Sequence, residues 1–146
     1  MTCFFIGHRY VSAQLRPRLD EAIEQHIMKH GVTDFVVGHY GQFDAMAAAA
    51  VRDARKRHPG VRLTLLLPYY HYHKLRIPED FDDTLYPEGM EFVPKPAAII
   101  RANRYMVENS DFLICYYANL VGNTRDIVEY ALHLEQKSRI RVTNLA

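Results

Sequence analysis

Residues 2–9 read Thr2-Cys3-Phe4-Phe5-Ile6-Gly7-His8-Arg9. A short apolar run that breaks abruptly into glycine, histidine and arginine is the pattern of a buried strand that delivers polar residues to one end of a sheet. The same kind of run returns at Asp34–Val37, Val61–Leu67, Phe112–Tyr116 and Arg139–Leu145. Longer stretches with helical periodicity separate these runs. From Ser12 to His30, Leu15, Leu19, Ile23 and Ile27 recur at i, i+4 spacing and make one apolar stripe. Ser12 offers an N-cap, Pro17 is tolerated near the first turn, and Gly31 is a stop.

Asp44 is placed to cap a second helix that runs to about Arg57 through Ala45-Met46-Ala47-Ala48-Ala49-Ala50. That segment is strongly helix-forming, and its small side chains let a helix lie close to a sheet. His58-Pro59-Gly60 ends it. Tyr69 to Lys95 shows no clear periodicity, and connections of that length are often functional. Met90–Val93 is the place within it where a short extra strand is expected. Pro96 starts a helix that carries Ile99, Ile100, Asn103, Met106 and Val107 and ends at Asn109. Asn123 or Thr124 caps the last helix, with Ile127, Tyr130, Ala131 and Leu134 facing inward.

Apolar strands alternating with amphipathic helices predict an α/β fold. The expectation is a single domain over residues 1–146, a Rossmann-like three-layer sandwich. Its parallel sheet has about five strands in the order 3-2-1-4-5, joined by right-handed crossovers. In such a sheet the ligand crevice lies at the carboxyl ends of the strands, where the strand order reverses, between the first and fourth strands.

Composition narrows the function. The chain has 146 residues, 49% of them hydrophobic, enough for a core without disulfide or metal staples. Cys3 and Cys115 both lie in apolar runs and are expected to be buried and reduced, with a spacing that fits neither a disulfide framework nor a zinc site. No stretch has the pattern of a membrane span or signal peptide, so a cytoplasmic protein is expected. The net charge of +1 argues against a protein that grips nucleic acid by charge, and nucleic acid is not expected as a partner.

The candidate site residues fall where the strands end. Gly7, His8 and Arg9 follow the first strand. Gly38, Gly41, Phe43 and Asp44 follow the second, and Pro68 and Tyr69 the third. Gly122, Asn123 and Thr124 open the last helix. Glycines let backbone approach a ligand, and helix N-termini suit a phosphate. Arg9 adds a bidentate anion contact. Arg101 and Arg104 share a helix face and either reach an anion or form a solvated surface. Asn103 is a polar group among inward-facing positions. Asp44 acts as a cap or accepts a hydrogen bond from a ribose hydroxyl. Tyr69 to His73 form an aromatic cluster suited to covering a base or to a lid or subunit surface. His71 and His73 lack further ligands at a suitable spacing, so neither a metal nor a cofactor is expected. The glycine spacing matches neither G-x-G-x-x-G nor a Walker loop, which weakens dinucleotide and ATPase readings.

The segments CFFIGHR, GHYGQFDAMA, LTLLLPYY, IIRANRYMVENSDFLICYY and GNTRDIVEYAL, in this order, resemble the YpsA-like branch of the SLOG superfamily. That superfamily also contains the Lonely Guy phosphoribohydrolases and the DNA-processing protein DprA. The resemblance implies a Rossmann-like fold that binds a nucleotide or nucleotide-derived phosphorylated ligand, as a sensor, and pairs as a homodimer through its helices. The Lonely Guy hallmark Pro-Gly-Gly-x-Gly-Thr-x-x-Glu is matched here by Asn119-Leu120-Val121-Gly122-Asn123-Thr124-Arg125-Asp126-Ile127, with Ile127 in place of the catalytic glutamate. An N-glycosidase is therefore the alternative, with Asp126 or Asp44 as its carboxylate. A DprA-like interaction protein in DNA metabolism is the third reading.

Overall fold

The run Cys3-Phe4-Phe5-Ile6 sends alternate side chains to opposite faces of a sheet, and both faces are covered. The computed structural model describes residues 1–69, 80–118 and 122–146, without the side chain of Asn123. In chain order its elements are β1 (Thr2–Gly7), α1 (Arg16–His30), β2 (Asp34–Val37), α2 (Gln42–Arg57), β3 (Arg62–Leu66), β4 (Asp83–Leu85), α3 (Lys95–Glu108), β5 (Phe112–Tyr116), α4 (Asn123–Gln136) and β6 (Arg141–Asn144). Single 3-10 turns occupy Ala13–Leu15 and Met90–Phe92.

The six strands are all parallel and lie in the order β4-β3-β2-β1-β5-β6. The five strands expected from the sequence neighbour one another as expected. The sixth, β4, is an addition at the edge beside β3. It is not the strand expected at Met90–Val93, which is a 3-10 turn entered through Gly89 at φ +85°. The chain reaches β4 through Asp82, whose carboxylate accepts from the Leu63 N–H at 2.8 Å and pairs with Arg55 at 2.7 Å.

Three layers result. Cys3, Phe5, Phe35, Val37 and Leu63 pack against α1 and α2 on one face. Phe4, Ile6, Val36 and Leu113 pack against α3 and α4 on the other. The α1 stripe is buried at Leu15, Leu19 and Ile23, and Ile27 packs at its margin. Ala47, Ala50 and Ala54 bring α2 close to the sheet, as their size dictates. Both cysteines are buried and free. Among the described residues no helix is long and apolar enough to cross a membrane.

Several helix starts differ from expectation. Ser12 caps the 3-10 turn, accepting from the Gln14 N–H at 3.2 Å, and α1 begins four residues later. The N-cap of α2 is Gly41 rather than Asp44, and that of α4 is Gly122 rather than Asn123 or Thr124. Glycine precedes each helix because the chain turns sharply there, at φ +99° in the case of Gly122. The stop at Gly31 is as expected, in the left-handed region at φ 69°.

One contact fixes where β1 ends relative to α2. A side chain on Gly7 would place its Cβ 2.3 Å from Cγ of Phe43, a fully buried ring that packs edge-on to Phe5 at 6.5 Å. Only hydrogen fits between the strand and the ring. Gly7→Ala is therefore expected to lower the unfolding free energy by about 1–3 kcal/mol, the usual cost of overpacking. Urea denaturation measures it, and a variant as stable as the parent would show that Phe43 moves aside freely.

Candidate functional site

The polar residues after β1, β2 and β3 and at the start of α4 meet around one cleft of about 340 Å³. Its walls include Gly7, His8 and Arg9 from the end of β1, and Gly38, Tyr40, Gly41 and Asp44 from the β2–α2 connection. Leu66 and Pro68 close the β3 side, Ile99, Ala102 and Asn103 come from α3, and Thr124 from α4. The volume lies within the range of small-ligand sites, roughly 300–1,000 Å³.

Hydrogen bonds hold these loops together. The Gln42 N–H donates to the Arg9 carbonyl at 2.8 Å, and Gln42 Oε1 accepts from the Val11 N–H at 2.9 Å. The Thr124 hydroxyl donates to the Gly7 carbonyl at 3.4 Å. His8 Nε2 accepts from the Ala118 N–H at 2.9 Å, which assigns the ring proton to Nδ1. His8 also sits edge-on to Tyr116 and Tyr117. It ties the ends of β1 and β5 together at the point where the strand order reverses. The cleft lies over β1, with Gly38 after β2 and Leu66 of β3 on one side and Thr124, at the start of the helix that follows β5, on the other.

The electrostatics are mixed. The N-terminal turns of α2 and α4 both reach the cleft, and with them their partial positive charge. Among the described residues Arg9 is exposed and has no ion pair, whereas Arg16, Arg52, Arg55, Arg57 and Arg62 all pair with carboxylates. Opposite stands Asp44, in the first turn of α2. Its Oδ2 accepts from the Tyr40 N–H at 3.0 Å. Burial pushes its carboxyl up to about 6, against the opposing pull of that N–H. A cationic and amide-rich rim beside a carboxyl suits a ligand with a phosphate and a sugar or base.

The remaining candidates are distributed as follows. Phe43 lies in the core beneath Gly7 and not on the cleft surface. Tyr69 is half-buried beside the cleft, with Lys95 Nζ 5.6 Å from its ring centre. Tyr70 to His73 lie outside the described residues. Gly122 is exposed at the entry to α4. Arg104 stacks its guanidinium 4.5 Å from the Tyr130 ring, and Tyr130 donates to Glu108 at 2.7 Å. Asp126 is exposed and lines a neighbouring groove between α3 and α4, together with Arg104 and Ile127. Arg101 is exposed on the outer face of α3. Ile99, Ala102 and Tyr40 belong to the cleft but were not among the residues singled out from the sequence. The first two look like core positions of a helix, and only Tyr40, inside the glycine-bearing loop, carried a legible signal. Among the described residues no three His, Cys, Asp or Glu side chains come together as a metal site would need.

Neither a family model nor a curated protein matches this chain. Two solved structures share its fold. One is DNA processing protein A from Helicobacter pylori, described for its single-stranded DNA binding mode, with a TM-score of 0.59, 17% identity and coverage of 99% of this chain. The other is DprA from Streptococcus pneumoniae, with a TM-score of 0.50, 16% identity and 98% coverage. This chain spans 64% and 58% of their respective lengths. The expectation that nucleic acid is not a partner is thereby overturned, since a protein of this fold binds single-stranded DNA. A net charge summed over the whole chain says little about single strands, which are held by a local groove and by stacking.

Asp44 supplies a test of the cleft's electrostatics. Its carboxyl is raised above the ordinary 3.8, so the folded state favours the protonated form. The parent loses stability from this group as the pH rises from about 4 to about 6, and nothing further changes above that. Asp44→Asn keeps an acceptor for the Tyr40 N–H without the charge. Its stability advantage is expected to be absent near pH 4 and to grow to the order of 2 kcal/mol by pH 7. Thermal denaturation of both proteins across that range measures it. An advantage that does not vary with pH would contradict the buried charge.

Proposed function

We propose that this chain is a single-stranded nucleic-acid-binding module whose strand-end cleft receives one phosphorylated nucleotide unit of the strand. The observation that carries the reading is the convergence of Arg9 and the first turns of α2 and α4 on one cleft, with no ion pair to Arg9 among the described residues. The fold shared with the single-stranded-DNA-binding protein of Helicobacter pylori supports it. So does the motif resemblance of GHYGQFDAMA and GNTRDIVEYAL to the YpsA-like branch of the SLOG superfamily, which implies a nucleotide or nucleotide-derived ligand. In this reading the phosphate sits at the helix starts near Thr124 and Arg9. Asp44 and Asn103 meet the sugar or base.

A second reading, a sensor that binds a free nucleotide in the same cleft, is favoured by the cleft's small-ligand volume. Hydrolysis of an N-glycosidic bond rests on Asp44, since it is the carboxylate of the cleft wall whose protonation lies near the working pH of a general acid. Asp126 faces the neighbouring groove, and Ile127 is buried.

Fluorescence anisotropy with a labelled oligothymidylate tests the first reading. The parent is expected to bind the single strand more tightly than a duplex of equal length, with affinity falling as salt rises. Arg9→Ala is expected to weaken binding by about tenfold, as loss of a charged hydrogen bond of roughly 1.5 kcal/mol does. Thermal stabilisation by nucleoside monophosphates, with no binding of oligonucleotides, would favour the sensor. Release of free base from AMP would establish the hydrolase.

A further inference from the structure

Beyond the cleft, α3 carries a surface whose chemistry the reading above leaves unused. Phe92 is 84% exposed, the most exposed of the large apolar side chains described. It is not a loosely held residue. The 3-10 turn that carries it is anchored by buried Met90 and closed by hydrogen bonds from the Phe92 N–H to the Gly89 carbonyl at 3.2 Å and from the Val93 N–H to the Met90 carbonyl at 3.0 Å. An anchored turn that presents a bare aromatic ring to solvent leaves about 150–250 Å² of apolar side chain without a partner.

The ring does not stand alone. Phe92, Val93, Ile100, Arg101 and Arg104 line one shallow groove on the outside of α3. Ile100 is itself 51% exposed. Arg101 and Arg104, one turn apart, are both exposed and form no ion pair among the described residues. This groove is continuous with the one between α3 and α4, because Ile100 and Arg104 line both. That groove in turn meets the cleft, because Ile99 and Asn103 line both. A path therefore runs from the cleft, over the Arg104–Tyr130 stack, to Phe92. Alternating guanidinium groups and aromatic rings along a groove match a single-stranded nucleic acid, whose phosphates need cations and whose exposed bases need flat apolar partners. Two carboxylates lie along this path: Asp126, which lines the middle groove with Arg104, and Glu108, which accepts from the Tyr130 hydroxyl at 2.7 Å.

We propose that Phe92, Arg101 and Arg104 are a second contact station for the strand held in the cleft. Phe92 stacks on a base, and the two arginines hold the phosphates on either side as the strand leaves the cleft across α3. The proposal rests on the nucleic-acid reading of the cleft and adds to it the direction in which the strand runs.

The test compares two labelled oligothymidylates, a dinucleotide that places one unit in the cleft and is too short to follow the path to Phe92, and one of about 20 nucleotides that also reaches α3. The parent, Phe92→Ala and Arg101→Gln are titrated by anisotropy at low salt and again across a salt series. Phe92→Ala is expected to weaken the long oligomer about tenfold and leave the short one unchanged, the loss that removal of one stacked base brings. Arg101→Gln is expected to reduce the salt slope for the long oligomer by about 0.7, one phosphate contact on a single strand. Phe92 is exposed, so the variant folds as the parent does, which its thermal midpoint checks. If the parent binds the long oligomer and both variants match it, the second station is wrong while the cleft reading stands. Equal weakening of long and short oligomers by Phe92→Ala also overturns it. A parent that binds neither oligomer removes the cleft reading and this one with it. A change in oligomeric state on Phe92→Ala, with DNA binding intact, assigns the surface to contact between copies of the chain instead.

Discussion

Strand β1 is clamped from both sides, and the clamps differ in length. Its ladder to β2 covers Thr2–Phe4, whereas its ladder to β5 runs from Cys3 to Gly7. The last residues of β1 thus lean on β5, and α2 comes in against them so closely that Phe43 occupies the space a side chain on Gly7 would need. That contact fixes the end of β1, and the surrounding loops attach to it by hydrogen bonds. The carbonyl of Gly7 receives Thr124, the carbonyl of Arg9 receives the first amide of α2, and His8 receives the amide of Ala118. Two walls of the cleft, the starts of α2 and α4, are thus bonded to the end of β1 and the residues that follow it.

Much of this was legible from the chain because burial imposes period. Strands β1, β2, β3 and β5 bury apolar side chains on both faces, which is what a parallel sheet between two helical layers requires. The alanine run of α2 and the i, i+4 stripe of α1 follow from the same demand. Where burial is partial, the local signals misled. Met90-Glu91-Phe92-Val93 looks like a strand by composition, but Gly89 and Pro94 bracket it into a turn. Asp83-Thr84-Leu85 looks like a loop, and it becomes a strand because β3 offers an open edge and Asp82 is fastened to Leu63 and Arg55. Both outcomes are decided by tertiary contacts that no window of sequence contains.

For the site, the glycine-bearing loops announced themselves through residue type, since a sharp turn beside a strand end has few other uses for glycine and arginine together. The other wall was hidden. Ile99 and Ala102 have the spacing of core residues on α3, and Ala102 is in fact a core residue that also lines the cleft. The charge argument failed for a different reason. A sum over the chain lets carboxylates elsewhere offset an arginine such as Arg9 that is exposed at the cleft, so +1 overall is compatible with a locally cationic surface. Charge distribution, and not total charge, bears on polyanions, and only coordinates supply it.

The outermost strands have a consequence of their own. Among the described residues, one side of the sheet ends in β4, three residues long and opened by Asp83, which pairs with Arg62 at 3.6 Å. On the other it ends in β6, four residues long, opened by the exposed Arg141 and closed by Asn144, whose side chain is spent on both backbone groups of Tyr117. An approaching strand from another molecule finds too short a ladder to extend and must desolvate a charge to use it. Short, charged margins are how parallel sheets avoid adding strands edge to edge. A core this rich in phenylalanine and valine is thereby kept from seeding fibrils through its own flanks.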